Sequence, residues 1–343
     1  MEKKLTSFLE PKLISSIDND NIEKFELSNF EIGLDKLLKI QNGYISIAKK
    51  TKTNQMYLIK VLKKKDLVTN KTLIEHEINQ LENLSSIYHP FILDLKGINF
   101  TDPYNLFYTY EFIPGIPLKH LIKNEGISID KAKFYIACMI TILDYIHKKK
   151  IIHRDLRPEI IFIHRNGYIK LMDFTLSKKL KNDYTYSICG THEYYSPEMI
   201  NQSGYNKSID YWQLGILFYE MLFGYTPFIA QDPYKLFEKI KNGKFKFPKN
   251  IDVNARTLIK HFLIVDIKKR LGCTKRGIYD IIQNPFFEGF DWEGLLHRLT
   301  QPPFIPKVNR NSIYNYKKLD KIYIEDGNSE IPKENDPFLN LNK

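Results

Sequence analysis

The sequence has few of the features expected of a membrane-spanning, secreted or disulfide-stapled protein. Its longest apolar runs fall well short of the roughly 18 residues that a helix needs to cross a membrane. The first segment, 1–13, has no apolar core long enough for a signal peptide, and Glu2 excludes the N-myristoylation pattern. The cysteines Cys138, Cys189 and Cys273 are widely spaced and lack the spacing of metal ligands. These absences predict a protein kept reduced in the cytoplasm or the nucleus.

The charge balance bears on whether nucleic acid is a partner. Lys and Arg number 51 against 40 Asp and Glu, which gives a formal net charge of +11. Most of these cations are lysines spread along the whole chain among Asn and Ile, rather than gathered into a stripe. Such spacing is typical of a solvated surface, so we expect no nucleic-acid partner.

The first hundred or so residues have the pattern of a small sheet with one helix. Alternating residues at 44–50 and 55–62 predict two strands joined by a hairpin. Apolar residues at helical spacing predict a helix over 70–84. A second strand pair is predicted at 91–100 and 105–112.

The pattern becomes helical after a Pro/Gly-rich hinge at 113–117. Helices are predicted at 131–149, 208–224, 234–243 and 254–266. The second of these is apolar nearly all round, which predicts a helix in the middle of a large domain. The chain therefore has a small β-rich part, a hinge, a large helical part and a polar C-terminal extension.

Six short motifs in a fixed order point to a known family. They are "YLIK" (57–60), "HRDLRPE" (153–159), "LMDF" (171–174), "CGTHEYYSPEMI" (189–200), "DYWQLGILFYEMLFGYTPF" (210–228) and "KKRLG" (268–272). Each is weak alone, but together they resemble the eukaryotic protein kinases. The extension 289–308 and the terminal "PFLNL" (337–341) are similar to the tail of the AGC branch, typified by cAMP-dependent protein kinase.

The resemblance implies an α+β, bilobal protein-kinase fold with a small β-rich N-lobe and a large helical C-lobe. Within the chain it implies an N-terminal extension at 1–29, a kinase domain at 30–287 with an N-lobe at 30–112 and a C-lobe at 118–287, and an AGC-type C-terminal tail at 288–343. The cofactors that it implies are ATP and Mg²⁺.

The resemblance places the nucleotide against several residues of the small lobe. Lys60 would pair with the α- and β-phosphates, and Glu77 of the following helix would be its partner, with Glu75 as the alternative. The other positions that the resemblance assigns to the nucleotide are Gly43, Ile45, Leu58, Glu111 and Phe162.

The resemblance assigns catalytic and metal-binding roles to the large lobe. Asp155 would be the base for a substrate hydroxyl, and Arg157 stands in place of the catalytic-loop lysine. Asp173 would be the metal ligand.

Regulation and substrate binding are implied by further charged residues. Arg154 and Lys178 stand where the family gathers cations around a phosphorylated Ser187, which is otherwise an ordinary loop serine. Glu159 and Glu220 match acceptors of basic substrate residues; the alternative is that they are structural ion-pair partners. A third such carboxylate is replaced by Pro117, which should weaken a preference for arginine.

Several family positions carry residues that oppose phosphoryl transfer. Leu38 and Ile40 replace the first two glycines of the phosphate-binding loop, where a Cβ hinders the approach of backbone N–H groups. Ile160 replaces the asparagine whose amide oxygen helps to hold magnesium, and Thr175 replaces the glycine after Asp173-Phe174. The adenine slot is expected to be filled, because the equivalent positions carry the large residues Leu58, Tyr110, Phe162 and Met172.

Three hypotheses follow from these residues. The first is a pseudokinase that acts in signalling through protein partners, such as a regulatory subunit or an active kinase paralogue; in relatives, contacts with a regulatory subunit occur in the helix region that corresponds to 232–240. The second is a weakly active serine/threonine kinase that acts on a protein substrate. The third, a nucleic-acid-binding module, has no motif to support it. The residues that hold an active-like core in the family are present: Leu81, Leu95, His153, Phe174 and Asp210.

Overall fold

The computed structural model describes residues 22–33, 38–40, 42–122 and 126–307. The terminal "PFLNL" therefore lies outside the described residues. By internal contacts the described chain divides into two units. The first contains residues up to 88 together with 93–114, and the second contains 89–92 and 115–307. The predicted hinge at 113–117 contains this division.

The first unit is built on one mixed sheet with two helices. Its elements are β1 (Glu23–Lys24), β2 (Phe30–Ile32), β3 (Leu38–Ile40), β4 (Gly43–Lys50), β5 (Met56–Lys63), α1 (Lys64–Val68), α2 (Lys71–Ser85), β6 (Leu95–Asn99) and β7 (Asn105–Glu111). The strands follow the order β1-β6-β7-β5-β4-β2, with β3 paired to β4. Among these described strands, the β1–β6 pair is parallel and the other pairs are antiparallel.

The two faces of this sheet are set by alternation along its strands. On β5, Ile59 and Val61 point to one face, where they form an apolar cluster with Ile32, Ala48 and Phe107. Leu58 and Lys60 alternate with them and so point to the other face. This register orients the Lys60 side chain on the opposite side of the sheet from the apolar cluster.

The second unit is mainly helical. Its elements are β8 (Gly115–Pro117), α3 (Leu118–Leu121), α4 (Ile129–Lys148), β9 (Ile151–Ile152), β10 (Ile161–His164), β11 (Ile169–Leu171), β12 (Lys178–Lys179), α5 (Pro197–Ile200), α6 (Ser208–Phe223), α7 (Pro233–Lys241), α8 (Val253–Phe262), α9 (Ile278–Ile282) and α10 (Trp292–Leu296). The described strands form two small antiparallel sheets, β11-β10-β8 and β12-β9.

Helix α6 forms the centre of the second unit. All of its residues from Ser208 to Met221 are buried, as predicted from a sequence that is apolar on nearly every face. The helix ends at Gly224, which takes a left-handed conformation with a φ of 80° and donates its N–H to the carbonyl of Glu220. Among the described helices, none combines the length and the apolar character that a bilayer crossing requires.

The predicted α+β class, with a β-rich unit followed by a helical unit, is confirmed. One strand is shorter than predicted: the segment 91–100 is a strand only from Leu95. The reason is that Phe91 accepts a hydrogen bond from the N–H of Leu171 at 2.7 Å, which ties this segment to the second unit. The short helix α1 was not predicted from the sequence.

Candidate functional site

In the first unit, Lys60 and Glu77 form a buried ion pair. Lys60 Nζ lies 3.3 Å from Glu77 Oε1, and the two residues are 4% and 3% exposed. Lys60 also donates to Gln80 Oε1 at 3.1 Å, and the Tyr108 hydroxyl donates to Glu77 Oε2 at 2.8 Å. Burial, together with the charge of Glu77, raises the pKa of Tyr108 well above its usual value, so this hydroxyl remains a donor. Glu75, the alternative partner, lies on the exposed face of α2.

Gly43 lies in a tight approach between neighbouring strands. A Cβ at this position would come within 1.9 Å of the carbonyl oxygen of Val61 on β5. Asn42, just before it, makes the turn with a φ of 63°. Close packing of β4 on β5 therefore accounts for glycine here, and a role in phosphate binding stays a prediction.

The other small-lobe positions assigned to the nucleotide are largely packed within their own sheet. Leu58 is 3% exposed and lies opposite Tyr110 on β7, and Ile45 is 5% exposed on β4. The carboxylate of Glu111 accepts a hydrogen bond from the N–H of Asp94 at 3.1 Å. Each of these side chains has a structural partner within the unit.

In the second unit, the Asp155 carboxylate is engaged by residues of its own chain. Arg157 Nε donates to Asp155 Oδ2 at 3.0 Å, and the Thr191 hydroxyl donates to Oδ1 at 3.2 Å. The guanidinium of Arg157 also lies 3.6 Å from Glu159 Oε2. Both oxygens of the predicted base are thus held, one of them by a full positive charge.

The loop that carries Asp155 is held in place by hydrogen bonds to the side chain of Asp210. The buried carboxylate of Asp210 accepts the backbone N–H groups of His153 and Arg154, each at 2.9 Å, and lies 2.7 Å from His147 Nε2. The ring of His153 packs edge-on against Phe174 at 4.9 Å between centroids. The second unit therefore contains the loop-anchoring contacts that the resemblance implies.

We predict that Asp210→Asn lowers the free energy of unfolding by about 3 kcal/mol at pH 7, because one oxygen that accepts in a fully buried site becomes a donor. Burial alone raises the pKa of Asp210, but the hydrogen bond and charge of His147 outweigh it and the pKa is lowered. The carboxylate should therefore stabilise the fold above an unfolded pKa of about 3.9 and lose this effect as the pH falls below it. Denaturant unfolding at pH 7 and at lower pH checks this.

The exposed Asp183 provides the matched control. Asp183→Asn makes the same chemical change at the surface and is expected to alter stability by less than about 0.5 kcal/mol. Equal effects of the two substitutions would contradict the anchoring role of Asp210.

Asp173 is held by the residue that replaces the family glycine. The backbone N–H and the hydroxyl of Thr175 donate to Asp173 Oδ1 at 3.1 and 2.5 Å. Ile160, at the position of the second metal ligand, is 1% exposed and offers no side-chain oxygen. Within the described part of the chain, no group of three or more His, Cys, Asp or Glu is placed to hold a metal ion. This donor set does not fit the two-ligand magnesium clamp that the resemblance implies.

The predicted regulatory residues lie around one segment. Arg154 is 1% exposed and donates to the Tyr205 hydroxyl at 3.2 Å, and that hydroxyl donates to the carbonyl of Ser187. Lys178 Nζ donates to the Thr185 hydroxyl at 2.9 Å. The Ser187 side chain is exposed. Arg154 and Lys178 are thus near the segment of Ser187, while its phosphorylation stays a prediction.

Glu159 and Glu220 converge on Lys119, which sequence reasoning did not identify. Lys119 Nζ lies 2.5 Å from Glu220 Oε1 and 3.7 Å from Glu159 Oε1. Partial burial lowers the pKa of Lys119, but the hydrogen bond and charge of Glu220 outweigh it and the pKa is raised. The sequence feature that could have identified Lys119 is its position two residues after Pro117, in "GIPLKHL".

Phe162, which the resemblance assigns to the nucleotide, pairs with Pro117 across β10 and β8 and is partly exposed.

Sequence reasoning also missed a buried ion pair between two of its own motifs. Glu198 of "SPEMI" and Arg270 of "KKRLG" form a two-pronged contact, with N–O distances of 2.6 and 3.0 Å. The two residues are 3% and 0% exposed. This pair joins α5 to the loop after α8.

Comparisons with known proteins agree with this geometry. The protein kinase domain model matches residues 41–287. The chain is 38% identical over 305 residues to the cAMP-dependent protein kinase catalytic subunit of Dictyostelium discoideum, covering 88% of this chain and 46% of that protein. It is 36% identical over 325 residues to cAMP-dependent protein kinase type 3 of Saccharomyces cerevisiae, covering 94% and 80%. The chain thus spans about half the length of the first relative and most of the second.

Proposed function

This chain belongs to the protein kinase family, and we propose that it acts in signalling as a pseudokinase, a kinase-fold protein that binds protein partners and transfers phosphate poorly or not at all. The observation that carries the proposal is the set of residues at the predicted metal site of the second unit. There a buried Ile160 replaces an oxygen ligand, and Thr175 donates two hydrogen bonds to Asp173 Oδ1.

The expected loss can be bounded from the chemistry of phosphoryl transfer. Catalysis of this reaction consists mostly of positioning and of charge stabilisation by metal ions. Loss of about 4 kcal/mol of such stabilisation slows the chemical step about a thousandfold. A defect at the metal ligands is therefore enough to leave little activity.

The environment of Asp155 supports the same proposal. A base must accept a proton from the substrate hydroxyl, but both oxygens of Asp155 already accept hydrogen bonds from the chain itself: Oδ2 from Arg157 Nε at 3.0 Å and Oδ1 from the Thr191 hydroxyl at 3.2 Å. Arg157 is itself paired with Glu159, whose Oε2 lies 3.6 Å from its guanidinium.

A second candidate function is a weakly active serine/threonine kinase that uses ATP and Mg²⁺ on a protein substrate. The observation that favours it is the buried Lys60–Glu77 pair at 3.3 Å, supported by Gln80 and Tyr108.

The proposed partners are proteins: a regulatory subunit or an active kinase paralogue in the cytoplasm or nucleus. The relatives that carry the names of catalytic subunits suggest such an assembly. The segment 232–240 offers a surface for it, since α7 begins at the N-cap Asp232 and exposes Tyr234 to 72%.

We predict that ATP with Mg²⁺ produces almost no rise in the melting temperature of the whole chain. A ligand at 100 times its dissociation constant would stabilise the fold by about 2.7 kcal/mol, which a thermal-shift assay resolves readily. Titration of ATP with and without Mg²⁺ checks this.

Lys60→Met, which removes the predicted phosphate contact, provides the matched control. The variant and the natural chain should show equally small shifts under the pseudokinase proposal. A large Mg²⁺-dependent shift that Lys60→Met abolishes would instead favour the second candidate.

A further inference from the structure

We propose that Lys119 is a built-in cation that occupies an acidic pair on the second unit, so that a partner or substrate peptide is selected for lacking a basic side chain there. The inference rests on the proposed protein-binding role of this unit and names the chemistry of the peptide. It concerns the surface formed by Lys119, Glu159 and Glu220.

The surface formed by Lys119, Glu159 and Glu220 is assembled from three separate elements. Glu220 lies in the last turn of α6, Glu159 lies in the short 3₁₀ turn after the Asp155 loop, and Lys119 lies in α3. The side chain of Glu220 is 4% exposed, whereas that of Glu159 is 35% exposed. The site is therefore open on one side and closed on the other, with its more buried charge at the base.

The ammonium of Lys119 lies between these carboxylates. It approaches Glu220 to 2.5 Å and Glu159 to 3.7 Å. The Tyr194 hydroxyl donates to the other oxygen of Glu220. Burial, and then the charge of Glu220, raise the pKa of Tyr194 well above its usual value, so the hydroxyl remains a donor. Both oxygens of Glu220 are thus satisfied by the chain itself.

This arrangement has a direct consequence for recognition. An arginine or lysine of a peptide would have to displace the tethered Lys119, which is present at a high effective concentration. It would also meet the charge of Arg157, whose guanidinium lies 3.6 Å from Glu159 Oε2. A basic peptide residue is therefore opposed by like charge, whereas a neutral residue meets no such opposition.

Fluorescence anisotropy with two labelled peptides tests the proposal on the whole chain. One peptide carries a pair of adjacent arginines, and the other carries alanines at the same positions. The natural chain should bind the alanine peptide more tightly than the arginine peptide, because Lys119 and Arg157 oppose the arginines. Lys119→Met should raise affinity for the arginine peptide by about tenfold or more and leave the alanine peptide unchanged. Adding Glu220→Gln to Lys119→Met should remove the gain.

Lys119→Gln keeps a donor beside Glu220 without the charge and guards against unfolding of the methionine variant. It should show the same direction of change. A natural chain that binds the arginine peptide as tightly as the alanine peptide, or more tightly, would overturn the proposal. So would variants that gain no selectivity for arginine. No nucleotide is present in these assays, so their outcome is separate from that of the pseudokinase proposal, which the ATP titration decides.

Discussion

Replacing Arg270 by Met is expected to lower the free energy of unfolding of the second unit by about 3–5 kcal/mol, the range typical when one partner of a buried pair is removed. The substitution leaves the Glu198 carboxylate buried at 3% exposure without its cation. The Ser208 hydroxyl, which donates to Glu198 at 2.9 Å, cannot neutralise that charge. The methionine keeps much of the volume, so the loss reports charge and hydrogen bonding.

The size of this effect follows from the number of groups that Arg270 satisfies. Besides Glu198, its guanidinium donates to the carbonyls of Ser208 at 3.1 Å, Ile264 at 2.9 Å and Val265 at 3.3 Å. It also lies over the ring of Trp212 at 5.0 Å. Loss of the guanidinium therefore leaves several buried acceptors without this donor.

Denaturant unfolding followed by tryptophan fluorescence is a suitable measurement, because both tryptophans, Trp212 and Trp292, belong to the second unit. Arg276→Met provides the control. Arg276 pairs with Asp280 at 3.2 Å, but its side chain is 61% exposed. An exposed pair contributes about 0–1 kcal/mol, so a similar loss in both variants would contradict the buried-pair interpretation.

The spacing of apolar residues predicted the helices well where the local pattern and the tertiary contacts agree. The predicted helices at 131–149 and 208–224 correspond to α4 and α6 within two residues at each end. Both helices are long and strongly apolar, so burial and helical spacing specify the same structure. The segment 91–100 shows the opposite case, since its first residues, Phe91 and Ile92, pair with Leu171, which lies 80 and 79 positions further along the chain.

At the candidate site, the contacts between charged residues likewise could not be predicted from the sequence. A motif gave the positions of Glu159 and Glu220, but their partner Lys119 lies in α3, 40 and 101 residues before them. Only the fold brings α3 beside the end of α6. Thr175 was identified as a departure from glycine, yet its hydrogen bonds to Asp173 depend on the backbone at Asp173, which has a φ of 41°. The identity of the residue alone does not determine that backbone angle.

Restoring the two metal-site residues is not expected to restore phosphoryl transfer. In Ile160→Asn with Thr175→Gly, an amide oxygen returns beside the loop, and the Thr175 hydroxyl at 2.5 Å from Asp173 Oδ1 is removed. We expect peptide phosphorylation to stay at background level, because Leu58, at 3% exposure, keeps a large side chain where the family resemblance implies alanine. Transfer of labelled phosphate to a serine peptide is the measurement.

The double variant also carries its own test of folding. Ile160 is 1% exposed, so an asparagine there costs about 1–3 kcal/mol unless its amide finds a partner. Circular dichroism and melting temperature must therefore accompany the activity assay. If Mg²⁺ with ATP raises the melting temperature of the double variant but not that of the natural chain, the metal ligands have been restored even without activity.

A third substitution separates the two causes of the defect. Adding Leu58→Ala to the double variant should allow nucleotide-dependent stabilisation if the bulky residues exclude the nucleotide, and the same variant with Asp155→Asn sets the background for phosphorylation. Full activity in the double variant would instead assign the whole defect to Ile160 and Thr175. In that case the side chains at the predicted adenine positions would be compatible with ATP. The chain would then be a kinase whose rate of phosphoryl transfer is limited only by weak metal binding.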